Sequence, residues 1–183
     1  MIKIRLIPWG RVEQSIAAYL QEQLPVKIGP RDVTVEINEV LALPDENLLK
    51  KNRQSLAAAL LTAQSNIRND DPRGYQIGII ERNLGENQED RVFMALNVFN
   101  RTGVIALAPL RQEFYQLPPE EPVFRARLLK MALHMLGQFL GVPRCADPKC
   151  LMSYARNNRE IDTKYPVYCL NCRPTLDNKL TKP

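Results

Sequence analysis

The sequence predicts an α/β fold in which a mixed sheet is flanked by helices and followed by an irregular segment. Three observations lead to this prediction. Runs that alternate apolar and polar residues interchange with runs of helical period over roughly the first 119 residues. One long apolar helix then covers about residues 120–141. The remaining segment, 142–183, holds all four cysteines of the chain. A length of 183 residues suits one domain spanning 1–183.

The first half of the chain opens with a strand, a helix and a second strand. Residues 2–7 alternate Ile-Lys-Ile-Arg-Leu-Ile and predict the first strand, which a Pro-Trp-Gly sequence ends. Apolar residues from Val12 to Leu24 then recur at helical spacing, and Pro25 predicts where this helix stops. Residues 32–40 alternate again, so they predict the second strand.

The middle of the chain predicts one more helix and three more strands. A polar connection begins near Leu43 and leads to an alanine- and leucine-rich helix over about 54–63. Apolar runs at 75–80, 91–98 and 103–108 predict the strands, the last two of them joined by an Asn-Arg-Thr-Gly turn. The predicted order is therefore β-α-β-α-β-β-β-α.

The long helix, from about Val123 to Leu140, is apolar around most of its circumference, which is typical of a helix buried on most sides. One stripe differs, because polar residues follow one another at steps of three, four and four and therefore share a face. These residues are Arg127, Lys130, His134 and Gln138. The stripe predicts that His134, the only histidine of the chain, points towards solvent or a cleft.

The four cysteines have the spacing of a structural zinc site. Four residues separate Cys145 from Cys150, and two separate Cys169 from Cys172. Zinc prefers four ligands in a tetrahedron, and a two-residue spacing lets both thiolates of a turn reach one metal. We therefore predict one structural zinc ion that ties down residues 145–172. Four free thiols and two redox disulfides are the alternatives.

The composition limits location and partners. The first residues lack the apolar run of a signal peptide, and no window approaches a membrane span, so we expect a cytoplasmic protein without membrane contact. A net charge of +5 with scattered basic residues makes nucleic acid an improbable partner. A zinc ribbon for nucleic acid or protein assembly stays open as an alternative. It would use Lys149, Arg156, Arg159, Lys164, Arg173, Lys179 and Lys182.

The stretch from His134 to Cys145, HMLGQFLGVPRC, resembles the signature of the archaemetzincins, which are metzincin-type zinc metallopeptidases. The family pattern is H-E-x-x-H-x-x-G-x-x-H-C, then four residues, C-x-M, and a later C-x-x-C. The matching positions are His134, Gly141, Cys145, Cys150, Met152, Cys169 and Cys172. The resemblance implies a zincin-like fold with a zinc-stabilised C-terminal segment. It also places Met152 at the family's Met-turn and Tyr154 near the cleft.

The departures from the pattern fall on the residues that carry the chemistry. Met135 stands in place of the glutamate base, Gln138 in place of the second zinc ligand, and Arg144 in place of the third. A catalytic zinc needs about three protein ligands and an open position for water, and His134 alone remains. The sequence thus predicts an inactive homologue with degenerate positions at His134, Met135, Gln138 and Arg144.

A retained fold without the catalytic ligands suggests a binding role. Such a role needs no metal if a peptide pairs with the edge strand of the cleft. His134, Gln138, Arg144 and Tyr154 would then line a polar, mildly basic cleft for a peptide or protein segment, suited to an acidic segment or a C-terminal carboxylate. Residual peptidase activity through an atypical metal site is the alternative that the family resemblance supports.

Overall fold

A computed structural model of the chain describes residues 2–29, 33–51, 55–67, 74–85 and 91–181. Within these ranges the strands are β1 (Ile2–Trp9), β2 (Val33–Ile37), β3 (Tyr75–Ile80), β4 (Met94–Asn97) and β5 (Thr102–Ala106). The α-helices are α1 (Gln14–Ile28), α2 (Glu46–Lys51), α3 (Leu56–Asn66), α4 (Glu121–Phe139), α5 (Asn158–Thr163) and α6 (Arg173–Thr181). In this part of the chain no helix is long and apolar enough to cross a membrane.

The strands form one mixed sheet in the order β2-β1-β3-β5-β4. The first four run parallel, and β4 pairs antiparallel with β5, with Met94 opposite Ile105 and Asn97 opposite Thr102. The short connection between β4 and β5 permits this antiparallel pairing, whereas parallel neighbours need a crossover. The predicted mixed sheet is confirmed, and β4 lies at one of its edges.

Helices cover both faces of the sheet, because successive side chains of a strand point to opposite sides. Ile4 and Leu6 of β1 join a large core with α1 and α4. Ile7 of β1 joins a smaller core on the other face with Leu60 of α3. The sheet is therefore the middle layer, and α4 lies on the larger core.

Helix α4 lies close to the sheet on one side and to the C-terminal segment on the other. A Cβ atom at Gly103 of β5 would lie 2.4 Å from Sδ of Met135. A Cβ atom at Gly137 would lie 2.5 Å from Sδ of Met152. Both glycines therefore permit approaches that any larger residue would obstruct. This packing fixes the position of the histidine-bearing helix relative to β5 and to the Met152 turn.

The structure corrects the predicted end of the first helix. Helix α1 continues through Pro25 to Ile28. Proline inside a helix costs about 3 kcal/mol, since it removes one hydrogen bond and crowds the preceding turn. Leu24 and Ile28 are both fully buried in the core. Burial of each such side chain contributes about 1.5–3 kcal/mol, which offsets the proline.

Three short helices also lie where no helix was predicted. Helix α2 occupies the polar connection, and α5 and α6 lie in the segment predicted to be irregular. None exceeds nine residues, so each shows too few turns for a clear period in the sequence. The predicted element starts at Asp32 and Gln54, and Lys182, lie outside the described residues.

Candidate metal site and cleft

The four cysteine side chains converge on one point. Their Sγ atoms all lie within 4.8 Å of one another. The Sγ atoms of Cys145 and Cys169 are 3.7 Å apart, and those of Cys150 and Cys172 are 3.8 Å apart. A tetrahedron with Zn–S bonds of about 2.3 Å has edges of about 3.8 Å, so the cluster fits zinc. Disulfide bonds need sulfur atoms about 2.05 Å apart, and all four thiols are free.

The protonation of the thiols is set by burial and by local N–H groups. Burial raises the pKa of Cys150 and of Cys172. Burial also raises the pKa of Cys169, but hydrogen bonds from the backbone N–H groups of Cys172 and Asn171 outweigh it and bring the value to about 7. Zinc binds thiolates, so a cation at the centre would stabilise the charges that burial disfavours.

The polar stripe of α4 faces the C-terminal segment, and two of its residues, His134 and Gln138, also line a cavity there. Arg127 and Lys130 are both buried. The guanidinium of Arg127 donates two hydrogen bonds to the carboxylate of Asp162, at 2.8 and 2.6 Å. The ammonium of Lys130 donates to the carbonyl oxygens of Ile161 and Asp162, both at 3.1 Å. The stripe therefore attaches α5 to α4.

His134 belongs to the same interface and is only 7% exposed. Its Nδ1 lies 2.8 Å from the carbonyl oxygen of Leu151. A carbonyl only accepts, so Nδ1 carries the hydrogen and Nε2 of the neutral ring must accept. Nε2 lies 2.8 Å from Nε2 of Gln138, whose amide donates to it. Burial lowers the pKa of His134, and the nearby charges of Lys164 and Arg144 lower it further, while the bond to Leu151 opposes them.

The two ring nitrogens of His134 therefore both have partners within the protein. Metal-binding histidines commonly donate one ring N–H to a carbonyl and present the other nitrogen to the metal, and His134 keeps the first half of this arrangement. Its second nitrogen, Nε2, accepts a hydrogen bond from the Gln138 amide instead. Among the described residues, the four cysteines are the one group of three or more His, Cys, Asp or Glu side chains close enough to share a metal ion.

Met135, which stands where the family pattern has glutamate, is a core side chain. Met135 is fully buried and lies against Gly103 and Phe139. A thioether cannot take a proton from water at neutral pH. Met152 is also fully buried, in a turn beneath Gly137, and its carbonyl accepts a hydrogen bond from the N–H of Cys145 at 3.2 Å. The turn that carries Met152 is thus linked directly to the cysteine cluster.

The four residues predicted for a cleft line one cavity of about 330 Å³. They are His134, Gln138, Arg144 and Tyr154. The guanidinium of Arg144 lies 5.3 Å from the centre of the Tyr154 ring, a cation–π contact. Sequence reasoning did not place Arg91, Phe93, Met94 and Leu96 in this cavity, although the strand prediction covered them. Arg156 and Lys164 also line it, and they had entered only as scattered tail charges.

Comparison with known proteins places the chain in a family. The sequence profile of peptidase family M54 matches residues 27–178, which is most of the chain. The chain belongs to this family, the archaemetzincins. The archaemetzincin of Pyrococcus abyssi is 29% identical over 181 residues, which cover 98% of this chain and 96% of that protein. The archaemetzincin of Methanopyrus kandleri is 30% identical over 179 residues, covering 94% and 87%.

Solved archaemetzincin structures share the fold. The crystal structure of the Methanopyrus kandleri archaemetzincin superposes with a TM-score of 0.78 and 26% identity, over 99% of this chain and 96% of that one. A zinc-dependent peptidase from Methanocorpusculum labreanum gives a TM-score of 0.76 at 20% identity, over 94% and 99%. The family resemblance and the predicted α/β fold of an archaemetzincin are thereby confirmed.

Removal of one cysteine should release the metal and loosen the C-terminal segment. We expect Cys150→Ser to lose zinc and to lower the Tm by about 10 °C, since about 2–4 °C are lost per kcal/mol in a chain of this size. Metal analysis and thermal unfolding by circular dichroism measure both. Asn171→Ala is the matched control, because this exposed side chain lies between two cysteines and contributes no sulfur. Zinc content and Tm equal to wild type in Cys150→Ser would contradict the assignment.

The single histidine allows its protonation to be read directly by NMR. The ring nitrogens of His134 should show the Nδ1–H tautomer and a pKa below the ordinary 6.5. The unfolded chain then binds the proton at higher pH than the folded chain, so this group lowers stability as the pH falls below about 6.5. Arg144→Gln should raise the pKa of His134 part of the way back towards 6.5, because it removes one of the charges that lower it. A charged ring at pH 7, or the Nε2–H tautomer, would refute this arrangement.

Proposed function

We propose that this archaemetzincin is catalytically inactive, carries one structural zinc ion in the four-cysteine cluster, and binds a peptide in the cavity beside α4 without cleaving it. The hydrogen bond between Gln138 and Nε2 of His134 carries the proposal, because it occupies the lone pair that would bind a catalytic zinc. Three protein ligands are the usual minimum for such a zinc.

The charge of Arg144 supports the absence of a second zinc ion. This side chain lines the same cavity as His134, and its positive charge lowers the pKa of the histidine. A guanidinium stays charged at any accessible pH, so it would repel a divalent cation at the position of the third ligand. The described part of the cavity lining contains no Asp or Glu that would offset this charge.

The burial of Met135 supports the absence of peptide hydrolysis. A metallopeptidase needs a base that takes a proton from the attacking water. The side chain of Met135 packs against Gly103 and offers no such group. Loss of the ligands and loss of the base are independent changes, so restoring either one alone would not restore the reaction.

The edge of the sheet supports peptide binding. The N–H of Ala106 donates to the carbonyl of Phe93 at 2.9 Å, which sets the hydrogen-bonding phase of the β4–β5 pair. In this phase the backbone groups of Met94 and Leu96 point away from β5, along the edge. Both residues also line the cavity. A peptide added to β4 would therefore lie beside the cavity, and its backbone would pair without any metal.

We also propose that Met152 forms the Met-turn of the family. Its contact with Gly137, three residues after His134 on α4, supports this assignment. The turn then packs against α4 at Gly137 and keeps the carbonyl of Leu151 within hydrogen-bond distance of Nδ1 of His134. The scaffold around His134 is in this way kept in place by packing and hydrogen bonds within the protein.

Metal stoichiometry tests the proposal. Dialysed wild-type protein should hold one zinc ion per chain, as measured by inductively coupled plasma mass spectrometry. It should also cleave no member of a broad peptide library. The double variant Gln138→His/Arg144→His supplies three histidine ligands with His134 and leaves the core residue Met135 unchanged. It should hold two zinc ions.

Single variants are the matched controls. Gln138→His alone supplies two ligands and should stay at one tightly bound zinc ion. Two tightly bound zinc ions in wild type would sink the proposal. Chelator-sensitive peptide cleavage that His134→Ala abolishes would establish residual peptidase activity instead.

A further inference from the structure

The cavity beside α4 concentrates positive charge. Four cations line it, and no Asp or Glu is among the described lining residues, although Glu160, outside the lining, interacts electrostatically with Lys164. The cations are Arg91, Arg144, Arg156 and Lys164. None of them takes part in an ion pair between described residues. Partly enclosed walls of low dielectric strengthen such a field and favour an anion inside.

We propose that this cavity binds the carboxylate of a peptide that lies along β4, with Arg144, Arg156 and Lys164 as the groups that hold it. The inference rests on the proposed function, because it names the ligand of the same peptide-binding cleft. The carboxylate comes either from the C-terminus of the peptide or from an acidic side chain, and both present the same planar pair of oxygens.

Arg144 lies beside an aromatic ring at the cavity. The Cζ atom of its guanidinium is 5.3 Å from the centre of the Tyr154 ring, a cation–π contact that favours this position of the exposed side chain. The fork of N–H donors on a guanidinium matches a carboxylate. Arg91 is placed similarly, with Cζ 5.1 Å from the centre of the Tyr115 ring.

Lys164 supplies a buried cation at the same cavity. Its side chain is 6% exposed, and its ammonium donates to the carbonyl of Ser153. An ammonium has three N–H donors, so further donors remain for a ligand. A carboxylate at this cavity would therefore meet a buried N–H donor that carries a positive charge.

The remaining lining favours a peptide over a nucleic acid. Phe93, Met94, Leu96 and Met131 give the cavity an apolar wall. The amide of Gln138 donates one N–H to His134 and has a second N–H to offer. The apolar wall suits a peptide side chain, and the amide donor suits a carboxylate. The edge strand β4 suits a peptide backbone. Non-specific nucleic-acid binding depends instead on phosphate contacts along an open, positively charged surface.

Pools of immobilised peptides test the inference on the zinc-loaded full chain. Hexapeptides randomised over neutral residues are made in four forms: a free C-terminal acid, a C-terminal amide, an amide with one internal Asp, and an amide with Asn instead. Biolayer interferometry at low salt should show binding of the free acid, the Asp form or both, at least about tenfold tighter than the plain amide and the Asn form. The form that binds identifies the source of the carboxylate.

Arg144→Gln should weaken the binding of the tightest peptide form about tenfold or more, because it removes the charged N–H donors of the guanidinium. Arg11→Gln is the matched control, since this exposed arginine lines neither described cavity, and it should bind like wild type. Equal Tm values show that both variants are folded.

Three outcomes would overturn the inference. Equal binding of all four forms would overturn the carboxylate specificity and leave the proposed peptide-binding function standing. No binding of any form would overturn both. Tighter binding of an oligouridylate than of any peptide pool, weakened by Arg144→Gln, would assign the cavity to nucleic acid instead.

Discussion

The convergence of four cysteines within 4.8 Å is the constraint on which the rest of the site depends. It joins two ends of the segment 145–172, and the carbonyls of Leu151 and Met152 lie inside that closed loop. The first of these carbonyls fixes the tautomer of His134, and the second receives the N–H of Cys145. Leu151, Met152, Ile161 and Tyr168 of this segment are buried in the core. A zinc ion bound by the cysteines would add its binding free energy to that packing.

The opposite side of the segment is held by polar contacts with α4. Arg127 and Lys130 bind α5 from the helix, and the hydroxyl of Tyr168 donates to the carbonyl of Leu133 at 2.6 Å. Buried charges of this kind cost free energy unless each is paired, and here each has partners in the segment. The segment is thus attached to α4 by polar contacts on one side, and the cysteine cluster joins its two ends on the other. His134 lies between these two attachments and is hydrogen-bonded to both the segment and its own helix.

The sequence was sufficient for the parts of this arrangement that depend on local patterns. Alternation of apolar and polar residues predicted β1 and β2, apolar runs predicted the other strands, and the two-residue spacing of Cys169 and Cys172 indicated a shared metal. The cavity residues His134, Gln138 and Arg144 followed from the family resemblance. Two features depended on tertiary contacts that the sequence does not show. Pro25 stays helical because of its buried neighbours, and Arg127 and Lys130 are buried because another segment supplies their partners. Which cations gather around the cavity likewise depends on distant segments that only the fold brings together.

A crystal of the wild-type protein, measured across the zinc absorption edge, distinguishes one metal site at the cysteines from two metal sites. We predict one anomalous peak at the centre of the cysteine cluster, about 2.3 Å from each sulfur, with no peak beside Nε2 of His134. A second peak about 2.0–2.1 Å from that nitrogen would contradict it.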